Sequence, residues 1–443
     1  MIRTTAALAL LTAPAFADAH ADPEGFREAF LAGDVAWADV EARARAEGEV
    51  AFYHWGGSDL LNGWMDSVVV PALAERGVTL RPVRITGTKE AVDLVLAEKA
   101  SGKDLGQGSV DAIWLNGENF ATLKRQDALF GGFAPLLPEA AANVAFDPAD
   151  PASGANLRDF GVETGGAEVP WSAEQYVCAR NAARMDGEPP RDFDALRAYL
   201  EANPGKFTYV KPPHYVGNTF VQAALYAMNP DGTGAEPYQR DVSEFEPAEL
   251  ARLMAPAMDY LAGIEPLLAS AGRYPEDAAA LDGMFLNGEI DVACKFGIFA
   301  AATDSATGIW PAEAEHFVFP EGAMIRNKSF LAIPANAPNP AAALVLADWM
   351  TSLKAQATKL RDVGYPAGID GSMLDDAANA RLAEASPGLV GITQEELDAN
   401  AAPDTNASLV DVIEAVWLER IEQGSDASLE EIVARAVEAR GAE

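Results

Sequence analysis

The stretch "EVAFYHWGGSD", residues 49–59, decides the fold. Val50, Phe52 and His54 fall in a short run rich in aromatic and β-branched residues, the composition of a buried strand. The run stops at Trp55, passes Gly56 and Gly57, and meets Ser58-Asp59, a helix cap followed by a first-turn carboxylate. A strand feeding directly into a helix is half of a βαβ unit. The same grammar repeats downstream. Strands are expected over 78–85 and 110–115, and helices over 59–76, 89–100 and 118–126, with Gly63 and Pro71 weakening the first helix. Strands alternating with helices predict a parallel sheet whose right-handed crossovers bring every strand-to-helix turn to one edge. Ligands of open α/β sheets bind at that edge. "HWGGSD" (54–59) and "WLNGENF" (114–120) are both delivered there.

Outward from this unit, the chain opens with MIRTTAALALLTAPAFADAHA. One basic residue, a short apolar run and small residues spaced A-x-A read as a secretory signal peptide covering 1–17, or alternatively 1–21. The run is too short to anchor in a bilayer. The mature protein is therefore expected in a bacterial periplasm. Lys and Arg number 32 against 67 Asp and Glu, a net charge of −35. That balance disfavours nucleic acid and anionic membranes as partners. The two cysteines, Cys178 and Cys294, leave a disulfide and two buried thiols both open. The four histidines are scattered, no Cys/His spacing suggests zinc, and no metal or cofactor is expected. With 443 residues, two or three lobes are expected.

Residues 127–168, rich in Ala, Pro, Gly and Asp, read as a long loop. A second α/β pattern follows: strands over 174–179, 207–210 and within "EIDVACKFG" (289–297), and helices over 192–201, 219–228, 248–269 and 275–287. A helix over 340–353 and a mostly helical C-terminal region complete the chain.

The order of these motifs resembles the type II periplasmic solute-binding proteins that feed ABC importers, and in particular the YnjB-type family, with spermidine/putrescine- and thiamine-binding proteins as distant relatives. The likeness rests on "FYHWGGS", "SVDAIWLNGENF", "VPW", "KPPHYVGNTFVQAAL", "FLNGEIDVACKFG", "VFPEGAMIRNKSFLAIPANAPNPAAALVLADWM" and "VGYPAG". It implies an α/β, two-lobed periplasmic-binding-protein (type II) fold with a hinge and an interlobe cleft. Lobe 1 would comprise 22–168 plus 330–443 and lobe 2 residues 169–329, with crossovers near 168–172 and 316–333. It further implies a monomer that captures a small organic solute and hands it to an ABC permease and its ATPase. Cys178 and Cys294 would share lobe 2, which puts a disulfide within geometric reach.

On this reading Trp55 stacks on the solute, while Gly56, Gly57 and Ser58 present backbone N–H groups and a hydroxyl. Asn116, Gly117 and Glu118 do the same one strand over. Trp171 and Ser172 follow the first crossover, Asn218 opens a helix, and Lys295 and Phe296 end a strand. Asn327 and Ser329 end the second crossover. The resemblance adds an aromatic contact at Phe296 and a cleft-lining role for Tyr365. A solute of modest size, zwitterionic or carrying a ring, fits this set, which lacks the several carboxylates of polyamine sites. The rival class is a secreted α/β hydrolase using the same cleft. Its G-x-S-x-G motif is absent, with only "GGS" at 56–58, and His54 and Ser58 are the residues nearest to a base and nucleophile.

Overall fold

In the computed structural model, described over residues 21–441, eight strands form one sheet. They are β1 (Glu49–Trp55), β2 (Thr79–Ile85), β3 (Ala112–Leu115), β4 (Glu168–Asn181), β5 (Val292–Phe296), β6 (Ala314–Phe317), β7 (Met324–Ala332) and the two-residue β8 (Ala401–Ala402). The path runs β2-β1-β3-β7-β4-β5, with β6 beside β4 and β8 beside β7. The expected signal peptide lies outside the described residues, apart from Ala21 in its longer form.

β1 pairs in parallel with β2 and β3, from Glu49 opposite Thr79 to Trp55 opposite Ile85. Val50, Ala51, Phe52 and His54 are buried, as expected of a strand covered on both faces. The helix after it does not break at Pro71. It stays helical through a wide π turn at Met65–Val69 and on into Val70–Ala74, the widened turn lying directly before the proline, which has no N–H to give.

β4 and β7 are the two connecting elements. The first half of β4 pairs with β7, from Glu168 opposite Ala332 to Gln175 opposite Arg326. Its second half pairs with β5 on one edge and β6 on the other. β7 likewise reaches from β8 at Met324 to β3 at Leu331. Each strand thus leaves one hydrophobic core and enters another. The first core holds Phe26 to Trp171 together with Leu331 to Ile369, and the second Tyr176 to Ile325 together with Ala402 to Val433. Cys178 and Cys294 face each other across β4 and β5 and are joined by a disulfide.

Before β1 the chain forms two helices, Pro23–Leu31 and Trp37–Glu47, because Phe26, Phe30, Val40 and Ala44 fill one face of the first core. Three expectations change. Residues 127–168 are not a bare loop, since they carry the helix Pro138–Asn143 and a small hairpin, Arg158–Asp159 with Val162–Glu163. Residues 207–210 make only an isolated bridge, Phe207 to Val292.

The largest change is at the C-terminus. Residues 330–443 do not pack as one unit with the first core. Leu409, Val412, Ile413, Val416 and Trp417 form a helical stripe buried in the second core. Trp417 Nε1 donates to the Tyr209 hydroxyl at 3.0 Å, and Thr405 N donates to Gln222 Oε1 at 3.1 Å.

Candidate functional site

The carboxyl ends of β1 and β3, the middle of the β4–β7 ladder and the start of the helix Tyr215–Ala227 carry most of the expected site residues. On the first-core side, Trp55 is half-buried and sets its ring edge-on to Trp114, 6.4 Å between centroids. Trp114 meets Trp171 edge-on at 4.9 Å, and Trp171 stacks on Trp64 at 6.5 Å. An aromatic chain therefore runs from the gap into the core.

The two glycines after Trp55 serve the protein first. A Cβ on Gly57 would collide with the Trp55 indole, so the bare backbone lets that ring fold over the turn. A Cβ on Gly56 would sit 2.7 Å from Arg84 Cβ on β2. The Gly56 N–H is also spent, donating to Ile85 O at 3.0 Å. Ser58 caps the next helix, its Oγ accepting from Leu61 N at 3.2 Å. One strand over, Asn116 is half-buried. The Gly117 N–H donates to Asp159 Oδ2 at 2.5 Å, while Gly117 takes φ +63° with its α-carbon against the Phe160 ring. Glu118 is half-buried and accepts from the Asn119 amide at 2.9 Å. Burial, and after it Asp411, raises its pKa.

Trp171 and Ser172 lie beneath the gap rather than in it, 0% and 1% exposed. Ser172 Oγ accepts from Lys359 Nζ at 2.9 Å, and the same ammonium reaches Pro366 O at 2.6 Å. Glu174, two residues on, is half-buried with Oε2 enclosed and without a hydrogen-bond partner. Burial pushes its pKa up to about 8 against the opposing pull of Lys359. Burial drives the Lys359 pKa well down, with Glu174 acting the other way. Asn327 and Ser329, both half-buried, sit opposite Glu174 and Ser172 in the β4–β7 ladder. Burial lifts the Asp404 pKa to about 8, against the opposing effect of the Asn327 side chain.

On the second-core side, Tyr215 is 50% exposed, with its ring 6.0 Å from Phe296. Phe296 in turn meets Tyr176 at 5.6 Å. Tyr365 is half-buried, and its hydroxyl is held far above its ordinary range by burial and then by Tyr215 and Glu174. Asn218 does not open its helix. The cap is His214, four residues earlier, and the N–H groups of Gly217 and Asn218 donate to His214 O at 2.9 and 3.0 Å. The Asn218 side chain instead donates to Glu414 Oε1 at 2.5 Å and Pro213 O at 3.2 Å, leaving its buried Oδ1 without a partner. Burial raises the Glu414 pKa to about 7. Lys295 is consumed locally, gripped by Asp282 at 2.9 Å and Asp304 at 2.8 Å with Nζ over Trp310.

Of the expected set, Trp55, Ser58, Glu118, Asn218, Phe296, Asn327 and Tyr365 lie on the elements that surround this candidate site. Sequence reasoning missed Trp114, Glu174, Tyr215, Asp404 and Glu414. Trp114 and Tyr215 stood inside quoted motifs, beside residues that were chosen. Glu174 was hidden by the β-bulge between Pro170 and Ser172. Asp404 and Glu414 lie in a C-terminal region without a motif. His54 and Ser58 are not paired for nucleophilic attack, since His54 Nδ1 bonds Trp55 O and the serine is a cap. Among the described residues no group of three or more His, Cys, Asp or Glu has metal-holding geometry, and no helix is long and apolar enough to cross a membrane.

Residues 68–385 match the family profile described as bacterial extracellular solute-binding protein. The chain belongs to this family. It is 33% identical over 390 residues to protein YnjB of Escherichia coli K12, covering 87% of this chain and 93% of the relative. Among solved structures, an ABC transporter substrate-binding protein from Bradyrhizobium japonicum is similar with a TM-score of 0.57 at 15% identity, covering 88% of this chain and 99% of that one. The spermidine/putrescine ABC transporter substrate-binding protein PotD from Streptococcus pneumoniae gives 0.53 at 12% identity, covering 88% and 99%. At these identities the two structures speak to the fold, which is the two-lobed α/β fold of periplasmic binding proteins. The solute-binding family and the gap between two cores agree on what kind of protein this is.

Proposed function

We propose that this protein is the periplasmic solute-binding component of an ABC importer, capturing a small organic solute between two lobes and presenting it to a membrane permease served by an ATPase. The observation that carries this reading is that β4 and β7 run without interruption from one core to the other. Two strands held side by side through their middles and anchored in different cores make a hinge. The first lobe is then 22–168 with about 330–385, and the second 169–329 with about 386–441, since Ile392 and Leu397 pack on Val177, Val318 and Met324. The solute contacts are Trp55, Ser58, Glu118, Phe296, Asn327 and Tyr365, joined by Trp114, Glu174, Tyr215, Asn218 and Glu414. Export through a cleaved signal peptide, a monomeric state and the absence of a catalytic step complete the proposal. The ABC-transporter relatives named above support the partner assignment. A second reading as a hydrolase has no such support: the serine–lysine contact at Ser172 is 1% exposed and buried under the hinge.

The test is closure. A solute at about 100 times its dissociation constant should stabilise the protein by about 2.7 kcal/mol, and X-ray scattering should register a more compact particle. Stabilisation with an unchanged scattering curve would sink the hinge.

A further inference from the structure

We propose that the solute is an organic cation, an ammonium on an apolar or aromatic body, received by Glu118, Glu174, Asn218 and Glu414 and by the rings of Trp55, Tyr215 and Phe296. This names the ligand class of the site proposed above and rests on that reading.

Charges around the gap do not balance. Every lysine beside it is already engaged. Lys295 is held by two carboxylates. Lys328 is held by Asp370 at 2.6 Å, Asn156 Oδ1 at 2.6 Å and Gly368 O at 2.9 Å. Lys359 bonds a serine hydroxyl and a backbone carbonyl. Among the carboxylates around the gap, Glu118 and Glu414 meet no such cation, while Glu174 forms no ion pair but lies within the pull of Lys359 and Lys295. Glu118 accepts from the neighbouring Asn119 amide and Glu414 from the Asn218 amide. Glu174 Oε2 accepts from nothing. A buried carboxylate without a counter-ion is costly, and a bound cation relieves that cost.

A second observation is independent of the acids. Asn218 is 8% exposed, and its amide is fixed against Glu414 through Nδ2. Its Oδ1 is enclosed and unbonded. Oδ1 can only accept. An acceptor held beside a carboxylate and left open calls for a donor with several hydrogens, which an ammonium supplies and a carboxylate does not. Tyr215, half open to the gap, and Phe296 beside it offer the π faces that attract a cation. A neutral polyol could also donate hydrogen bonds, but it would leave the carboxylates without a counter-charge.

The experiment uses the mature full-length chain and matched probes: 2-phenylethylammonium, butane-1,4-diammonium and tetramethylammonium against 2-phenylethanol, phenylacetate and glucose, each followed by calorimetric titration. At least one ammonium should bind while its neutral and anionic counterparts do not. E174Q should weaken that ammonium by about tenfold or more, as expected for losing a charged hydrogen bond. E118Q and E414Q carry the same expectation and serve if E174Q does not fold. The proposal is overturned if phenylacetate, 2-phenylethanol or glucose binds as tightly as the ammonium ions, if no ammonium binds at millimolar concentration, or if all three folded variants keep full affinity. A parallel arm separates this from the reading beneath it. Compaction with a small-molecule periplasmic extract but with no ammonium keeps the binding protein and removes the cation. Compaction with neither removes both.

Discussion

The two sides of the gap are built on different plans. The first-core side is an aromatic chain, Trp55 to Trp114 to Trp171 to Trp64, delivered by strand ends and backed by glycine turns. The second-core side is a helix start and a C-terminal helix that bring Tyr215, Asn218 and Glu414 together. One side offers surface and the other offers charge and hydrogen bonds. Aromatic walls announce themselves in sequence, because tryptophan at a strand end is rare and local. The polar wall joins residues almost two hundred positions apart, and only folding reveals it.

The comparison breaks first at its deepest tryptophan. Trp171→Ala should cost about 3–5 kcal/mol of stability, because the side chain is fully enclosed among Trp64, Trp114 and Phe52. Chemical denaturation measures it, and a loss below about 1 kcal/mol would place Trp171 outside the core. Replacing both Cys178 and Cys294 by alanine should cost about 2–4 kcal/mol. Mass spectrometry of non-reduced, alkylated periplasmic protein should find neither thiol labelled, and two labelled thiols would remove the bridge. Trp55→Ala should weaken solute binding by about 1–3 kcal/mol while changing stability far less than Trp171→Ala. A large stability loss with unchanged affinity in the folded fraction would move Trp55 from the gap into the core.

The smallest expected effect sharpens the polar side. Glu174 and Asp404 have pKa values raised to about 8 and Glu414 to about 7, each chiefly by burial. The folded protein therefore keeps protons that the unfolded chain releases above about pH 4.3. The stability these groups contribute is fully present below that value and is lost as pH rises towards 8. The melting temperature of the solute-free protein should fall between about pH 5 and pH 8, and E174Q should make the fall shallower. A parallel fall in wild type and variant would show that Glu174 does not titrate there.

The first α/β unit was largely legible in the sequence, because its strands and caps are local signals. The helix expected over 89–100 is found as Lys89–Ala100, and the strand over 50–55 begins one residue earlier, at Glu49. Of the candidate site, the placement of residues at strand ends was legible. Trp55, Glu118 and Phe296 lie where strand ends must lie. Gly56 and Gly117 were given N–H groups for a ligand that the structure spends on Ile85 O and Asp159. Lys295 is placed by pattern at a strand end in the site, but its two acids, Asp282 and Asp304, belong to flanking helices that pattern alone does not bring together. Asn218 was read as a cap because the helix was started at Thr219. The signals for His214, a capping side chain ahead of Tyr215 and Val216, are weaker than those of the usual Asp, Ser or Asn.

The interleaving of the two cores has a consequence for how the chain is made. The core begun by Phe26 is completed only by Leu331 to Ile369, and the core begun by Tyr176 only by Ala402 to Val433. A chain stopped at residue 330 would hold two unfinished cores, and one stopped at 400 only one finished core. Folding cannot proceed as one domain and then the next while the chain emerges. Both halves must wait for segments more than a hundred residues downstream, so the newly made chain stays open until nearly its whole length is free. The same arrangement would keep the chain unfolded for the export proposed above.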